Sequence, residues 1–172
     1  MKPSIKPIVG IITSEIDLLD EVLSRLERFF GARDVVGPWR EFDHTSYYEP
    51  EMGPGLKRCF VSFSNLLPPA SSTWFKEKAS GVEAFYLSGG KRRMNIDPGY
   101  IDANKVVLMT GKDGGHKIPV AEGIWADFLL WYNKGWVAHP WAFPDFRDGG
   151  YFKTFMRMRL AFKKQLKSLS ES

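Results

Sequence analysis

A single cysteine, Cys59, stands among 172 residues. That excludes an intrachain disulfide, and its place inside the apolar run RCFVSF marks it as a reduced thiol packed in the interior. One unpaired thiol suits a reducing cytoplasm, the compartment expected here. Long hydrophobic runs are missing too. The apolar stretches are short, as at Ile124 to Tyr132, which Asp127 interrupts, and none approaches the ~20 residues a membrane span requires. The N-terminal MKPSIKPIVGIITSEIDLL interrupts its apolar residues with prolines, Ser14, Glu15 and Asp17 and offers no small-residue cleavage site, so no signal peptide is expected. A soluble protein without a membrane partner is the expectation.

Histidine is scarce. His44, His116 and His139 are far apart, neither spaced as a helical pair nor joined by a cysteine motif, and no metal site is expected. No G-x-S-x-G nucleophile elbow occurs. TGKDGGHK at residues 110–117 fails as a phosphate loop: Lys112 follows the first glycine, Asp113 follows the lysine, and a strand rather than a helix comes next. Its glycines read as turns between strands. Repeats, low-complexity tracts and long linkers are absent, so residues 1–172 form one domain.

What the chain does have is apolar and aromatic mass, 44% and 15% of its residues, enough for one substantial core at this length. Lys and Arg number 24 against 20 Asp and Glu, a net charge of +4. The excess is patchy, at Lys91 to Arg93 and along the last helix at Lys153, Arg157, Arg159, Lys163, Lys164 and Lys167.

Residues 7–13, PIVGIIT, are a continuous apolar run, the pattern of a strand covered on both faces. Ser14 can cap the following helix, whose stripe is Leu19, Val22, Leu23, Leu26, Phe29 and Phe30 and whose stop is Gly31. Trp39 to Tyr48 and KRCFVSFS read as an antiparallel pair. A helix is expected from about Ser72 to Leu87, ended by Gly89-Gly90, and a strand at Arg92 to Asp97. Strand, helix, strand, strand, helix, strand is the split βαβ succession of ferredoxin-like domains. The fold class expected is therefore α+β: a mostly antiparallel sheet with two helices on one face. Further strands at Lys105 to Thr110, Lys117 to Val120, Ile124 to Tyr132 and Trp136 to His139 extend it as hairpins, and a helix from about Gly150 to Ser168 closes the chain.

Side-chain alternation puts Met94 and Ile96 on one side of their strand and Arg93, Asn95 and Asp97 on the other. An arginine fork binds carboxylate or phosphate bidentately, and a neighbouring aspartate orients the fork or a bound hydroxyl. Asp97-Pro98-Gly99-Tyr100 reads as a turn placing Tyr100 beside that row, and Lys105, Lys112, His116 and Lys117 follow on nearby strands or turns. A second polar aromatic cluster comprises Asp43, His44, Tyr47, Tyr48, Glu51, Lys57 and Arg58. Phe60-Val61-Ser62-Phe63 matches half of an RNA-recognition motif, but Arg58 occupies the upstream stacking position and PIVGII has no aromatic.

In YYEPEMGPGLKRCFVSF, KRRMNIDPGYID, HKIPVAEGIWADF and HPWAFPDFRDGGYFKTFMRMR the chain resembles the prokaryotic family catalogued as domain of unknown function 4416. The family has no assigned activity, though some members carry automated GTP-binding labels. No Walker A lysine loop and no N-K-x-D motif is present here to support that label. What the resemblance implies is where to look: Tyr47, Tyr48, Glu51, Lys57, Arg58, Arg93, Asn95, Asp97 and Tyr100 lie in the stretches that carry it. The function expected is binding of a phosphorylated small molecule or nucleotide through Arg58 and Arg93, with Asn95 and Asp97 selecting hydroxyl or amide groups and His116 approaching the same patch. The alternative is a nucleic-acid or protein interaction module using the basic last helix and exposed aromatics such as Trp136 and Trp141. These residues name anion-binding groups without naming a reaction, a cofactor or an oligomeric state.

Overall fold

A computed structural model describes residues 4–171. Lys6–Thr13 forms β1, buried at all eight positions, as a strand sandwiched between two layers must be. A 3₁₀ turn at Ile16–Leu18 leads into α1, Leu19–Phe30. Ser14 does not cap it, because no side chain caps either segment, and the Thr13 hydroxyl instead accepts the Glu15 N–H at 3.0 Å. The helix buries Val22, Leu23, Leu26 and Phe30 and ends at Gly31, whose φ of +82° suits glycine.

Next come β2 (Arg33–Val36), β3 (Arg40–Glu41), α2 (Glu49–Met52) and β4 (Lys57–Phe63). The strand expected over Trp39 to Tyr48 shrinks to Arg40 and Glu41, which pair with Arg58 and Lys57. Beyond them the Thr45 hydroxyl accepts the Tyr47 N–H, and Pro50 favours a helix start, so Tyr47 and Tyr48 lead into α2. The longer partner of β4 on this side is β2, whose four residues are too few to show a period. Then follow α3 (Ser72–Ala84), the hairpin β5 (Leu87–Ser88) and β6 (Lys91–Arg92), β7 (Met94–Ile101) and β8 (Lys105–Thr110). The chain finishes with β9 (Ile118–Ala121), β10 (Ile124–Tyr132), β11 (Trp136–Ala138), α4 (Pro144–Arg147) and α5 (Phe152–Ser170).

The main sheet runs β11-β10-β8-β7-β1-β4-β2, with β3 on β4 and β9 on β10, and every pairing is antiparallel. In β1-α1-β2 the two strands are separated by β4, and in β4-α3-β7 they are separated by β1. That is the split βαβ arrangement, in line with the expected ferredoxin-like core, and β8, β10 and β11 extend it. The fold is α+β with a mostly antiparallel sheet.

The centre of the sheet is covered on both faces. Val9, Ile11, Cys59, Val61, Phe63, Met94 and Ile96 pack with Leu26 and Phe30 of α1 and Phe75 and Val82 of α3. On the other face Ile8, Phe60, Ile101 and Leu108 meet Phe146 of α4 and Phe155 and Met158 of α5. Phe60 and Phe63 are therefore buried in opposite layers, and the half-matched RNA motif has no ring exposed for a base. Trp136, expected at the surface, is also buried, edge-on to Tyr132 and Phe155. Among the described residues no helix is long and apolar enough to cross a membrane.

Candidate functional site

The site begins where two strands part. Pairing of β7 with β8 covers only Gly99 to Ile101. The Ile96 N–H turns to the Glu83 carboxylate of α3, and Pro98, two residues on, shares that edge but has no N–H to offer β8. Gly99 sits at the junction, where an added Cβ would lie 2.1 Å from the Val107 carbonyl oxygen, so only glycine permits the close approach. Asp97 to Tyr100, expected as a turn, instead continue β7, because Pro98 and Gly99 still pair with Val9 and Ile8 of β1.

The fork opens into a cavity of about 770 Å³, within the range of small-molecule sites. Ile12, Phe42, Leu108, Met109, Phe143 and Pro144 supply apolar wall. The polar lining includes His44, Tyr47, Tyr48, Arg58, Lys76, Glu83, Arg92, Asn95, Asp97, Thr110, Lys112, Lys117 and Asp127.

Arg58 forms the floor. It is 2% exposed, held at 3.3 Å by Asp97 and 3.2 Å by Asp145, with the rings of Phe60 and Phe146 within about 5 Å of its guanidinium. Burial opposes its charge, but Asp145 and Asp97 together raise its pKa above the ordinary arginine value. Asp145 also accepts the Tyr151 hydroxyl at 2.9 Å; burial, then Asp145, pushes that phenol up. The Arg58 Nε has no partner.

Beside it runs a relay of fixed side chains. Glu51 receives the Arg92 backbone N–H and two bonds from the Arg92 guanidinium, at 3.0, 2.9 and 2.8 Å, and these bonds hold its carboxyl below the usual range. Arg92 Nη1 then donates to Asn95 Oδ1 at 2.8 Å. Asn95 is 3% exposed and its Nδ2 has no partner. Two further lining carboxyls, Glu83 and Asp127, have raised pKa values because burial disfavours their charge. The His116 ring nitrogen lies 3.4 Å from Asp127 Oδ1, and the His116 ring stacks on Trp141, itself stacked on His139. Tyr48 is pushed up to about 12 by burial and Asp97. At the mouth Lys112 donates to the Tyr47 hydroxyl at 2.5 Å and Lys117 to the Lys112 carbonyl at 3.1 Å.

Of the residues singled out in the sequence, His44, Tyr47, Tyr48, Arg58, Asn95, Asp97, Lys112 and Lys117 line the cavity. Glu51 stands behind Arg92, and His116 behind Asp127. Three others lie apart from it. Lys57 pairs with Glu41 at 3.3 Å on the surface. Tyr100 lies on the opposite side of β7 and packs against the α1 and α3 layer. Arg93 occupies a bend between β6 and β7 and makes two bonds to Glu15. That bend interrupts the alternation, so Arg92, rather than Arg93, shares the cavity with Asn95. Arg58 and Arg93 do not converge.

Glu83, Arg92, Asp127 and Asp145 went unremarked in the sequence as site residues. Asp127 left a trace, as the one acid inside the apolar run of β10. Asp145 left none, since its partner Arg58 lies 87 residues away. A second cavity of about 490 Å³, lined by Arg40, Glu41, Asp43, His44, Asp145 and Asp148, lies on the far side of Asp145. Among the described residues no three His, Cys, Asp or Glu side chains are grouped to hold a metal ion.

Fold and site together define an α+β domain whose extended antiparallel sheet forks over a mixed-charge cavity. Residues 3–162 match the family model described as Domain of unknown function (DUF4416), and the chain belongs to that family. No curated protein and no solved structure matches it.

Proposed function

We propose that the fork cavity binds a phosphorylated small molecule or nucleotide, with the phosphate at the lysine mouth and the uncharged polar part on the floor. The observation that carries this reading is the sorting of charge by depth. The floor cations Arg58 and Arg92 are matched by Asp97, Asp145 and Glu51. Lys76, Lys112 and Lys117 have no carboxylate within ion-pair distance among the described residues. An anion is therefore attracted at the mouth, where the unpaired charge lies, while the floor offers hydrogen bonds without net attraction.

A concave site with apolar walls fits a small ligand better than the outer surface of α5 does, and Phe60 and Phe63 of the half-matched RNA motif are both buried. The test is thermal unfolding with nucleotides and sugar phosphates. A ligand at 100 times its Kd stabilises by about 2.7 kcal/mol, a rise in Tm of roughly 5–10 °C for a domain of this size. Replacing Lys112 and Lys117 together with alanine should remove the rise at little cost in stability, since both lie toward solvent. If no phosphorylated compound raises the wild-type Tm, the reading is wrong. RNA binding that weakens steeply with salt would favour the interaction-module alternative.

A further inference from the structure

We infer that the floor of the cavity recognises a nucleobase, and that the Glu51, Arg92, Asn95 relay is the device that reads its edge. This rests on the phosphate-binding reading and narrows it from phosphorylated compounds in general to nucleotides.

An asparagine amide offers an oxygen that accepts and an NH₂ that donates, and rotation by 180° exchanges them. Here the exchange is blocked. Glu51 accepts Nε–H, Nη2–H and the backbone N–H of Arg92, which leaves Arg92 Nη1 aimed at Asn95 Oδ1. Arginine cannot accept a hydrogen bond, so the Asn95 oxygen must face it. The NH₂ is thereby committed as a donor, and it is buried without a partner in the wall of a cavity. An unpaired buried donor is costly to fold, and a bound acceptor relieves that cost.

The acceptor is uncharged. Asp97 follows two residues later on the same side of β7, and Glu83 lies 4.0 Å from the Arg92 Nη1 that bonds Asn95; a phosphate placed there would meet carboxylates. The body that carries the acceptor is apolar on its faces, since Ile12, the strand partner of Asn95, packs there with Phe42 and Tyr48, and all three line the cavity. A flat ring with a carbonyl or ring nitrogen on its edge meets all three conditions, whereas the hydroxylated ring of a sugar would leave its hydroxyls against hydrocarbon. Asp97 supplies the complementary acceptor for a ring N–H or amino group. The cavity, about 770 Å³, has room for base, ribose and phosphate at once.

The experiment measures Kd by calorimetry for AMP, CMP, GMP, UMP, ribose 5-phosphate and pyrophosphate, on wild-type protein and on Asn95→Asp. The substitution keeps an acceptor for Arg92 and removes the donor. Ribose 5-phosphate carries the same phosphate as the nucleotides, so the ratio of affinities cancels any electrostatic effect of the new carboxylate. At least one nucleotide should bind wild type tenfold or more tightly than ribose 5-phosphate, and Asn95→Asp should bring that ratio to near one. Glu51→Gln, at a position about one-third exposed, should lower the ratio severalfold by loosening Arg92, and it replaces Asn95→Asp if that variant fails to fold. Ribose 5-phosphate or pyrophosphate binding as tightly as every nucleotide overturns base recognition and leaves phosphate binding standing. A nucleotide preference that survives both substitutions overturns the relay as the device that reads the base. Failure of all six compounds to bind overturns both readings.

Discussion

Two cations lie buried in adjacent strands, Lys6 in β1 and Arg58 in β4, and they are treated in opposite ways. The Lys6 ammonium has three N–H groups and gives them to Asp34, the Phe63 carbonyl and Gln165. Every donor is used, and the bonds tie β1 to β2, β4 and α5. Burial lowers its pKa, with Asp34 opposing. Arg58 has five N–H groups and two carboxylate partners, with its Nε unpartnered and a cavity above it. A buried charge whose donors are saturated is a tie between layers. One with donors left over, set between more carboxylates than it needs, holds other side chains in position around an opening.

Replacing each cation breaks the comparison at its two ends. Arg58→Met leaves Asp97 and Asp145 facing each other without a counter-charge, and a broken buried pair of this kind costs about 3–5 kcal/mol. Chemical denaturation should show that loss, together with loss of any nucleotide-induced shift. Lys6→Met should cost less, about 2–3 kcal/mol, because Asp34 is a quarter exposed and keeps the Ser62 hydroxyl as a donor. Its nucleotide-induced shift in Tm should match wild type. Equal loss of binding in both variants would show that the cavity depends on overall stability rather than on Arg58.

Lys6 also shows how far the sequence is legible. Hydrophobic period locates β1, β7, β8, β10 and the three long helices, because each buries a face whose spacing is local. The expected strand begins at Pro7, for nothing in KPIVG says that a lysine can be buried against Gln165, 159 residues further along the chain. The site is half legible for the same reason. Asn95 and Asp97 share a strand face, and two-residue alternation finds them together. Alternation points to Arg93 in place of Arg92 because a one-residue bend shifts the register. The fork itself depends on Pro98 facing β8 and not β1, which only the pairing decides. Asp127 and Asp145 come from segments whose approach to Arg58 and Asn95 is tertiary.

A smaller effect is expected at Glu83, the carboxylate that occupies the fork. Burial holds its pKa above the ordinary glutamate value, so the folded state keeps a proton that the unfolded chain releases. Stability from this group is fully present below the unfolded pKa and falls as pH rises toward the folded one. Glu83→Gln keeps an oxygen for the Ile96 N–H and removes the titration. Its Tm should equal wild type near pH 4 and exceed it at pH 8. A variant less stable than wild type at pH 8 would mean that the charge on Glu83 is needed, through Arg92 Nη1 at 4.0 Å.

The smallest effect belongs to the residue next to the relay. Arg93 and Arg92 are neighbours with the same side chain, and Arg92 pairs with Glu51 and, at 4.0 Å, with Glu83, yet Arg93 and its partner Glu15 both stand about two-fifths exposed on the outside of the bend. An exposed pair contributes little once solvent screens it, and Arg93 holds no side chain that lines the cavity. Arg93→Ala should leave Tm within about 2 °C of wild type and nucleotide Kd unchanged. Arg92→Ala should weaken binding by releasing Asn95 to turn its amide. Because the two substitutions remove the same charge from adjacent positions, their difference measures what orientation adds beyond net charge, and equal losses of affinity would reduce the relay to a diffuse basic patch.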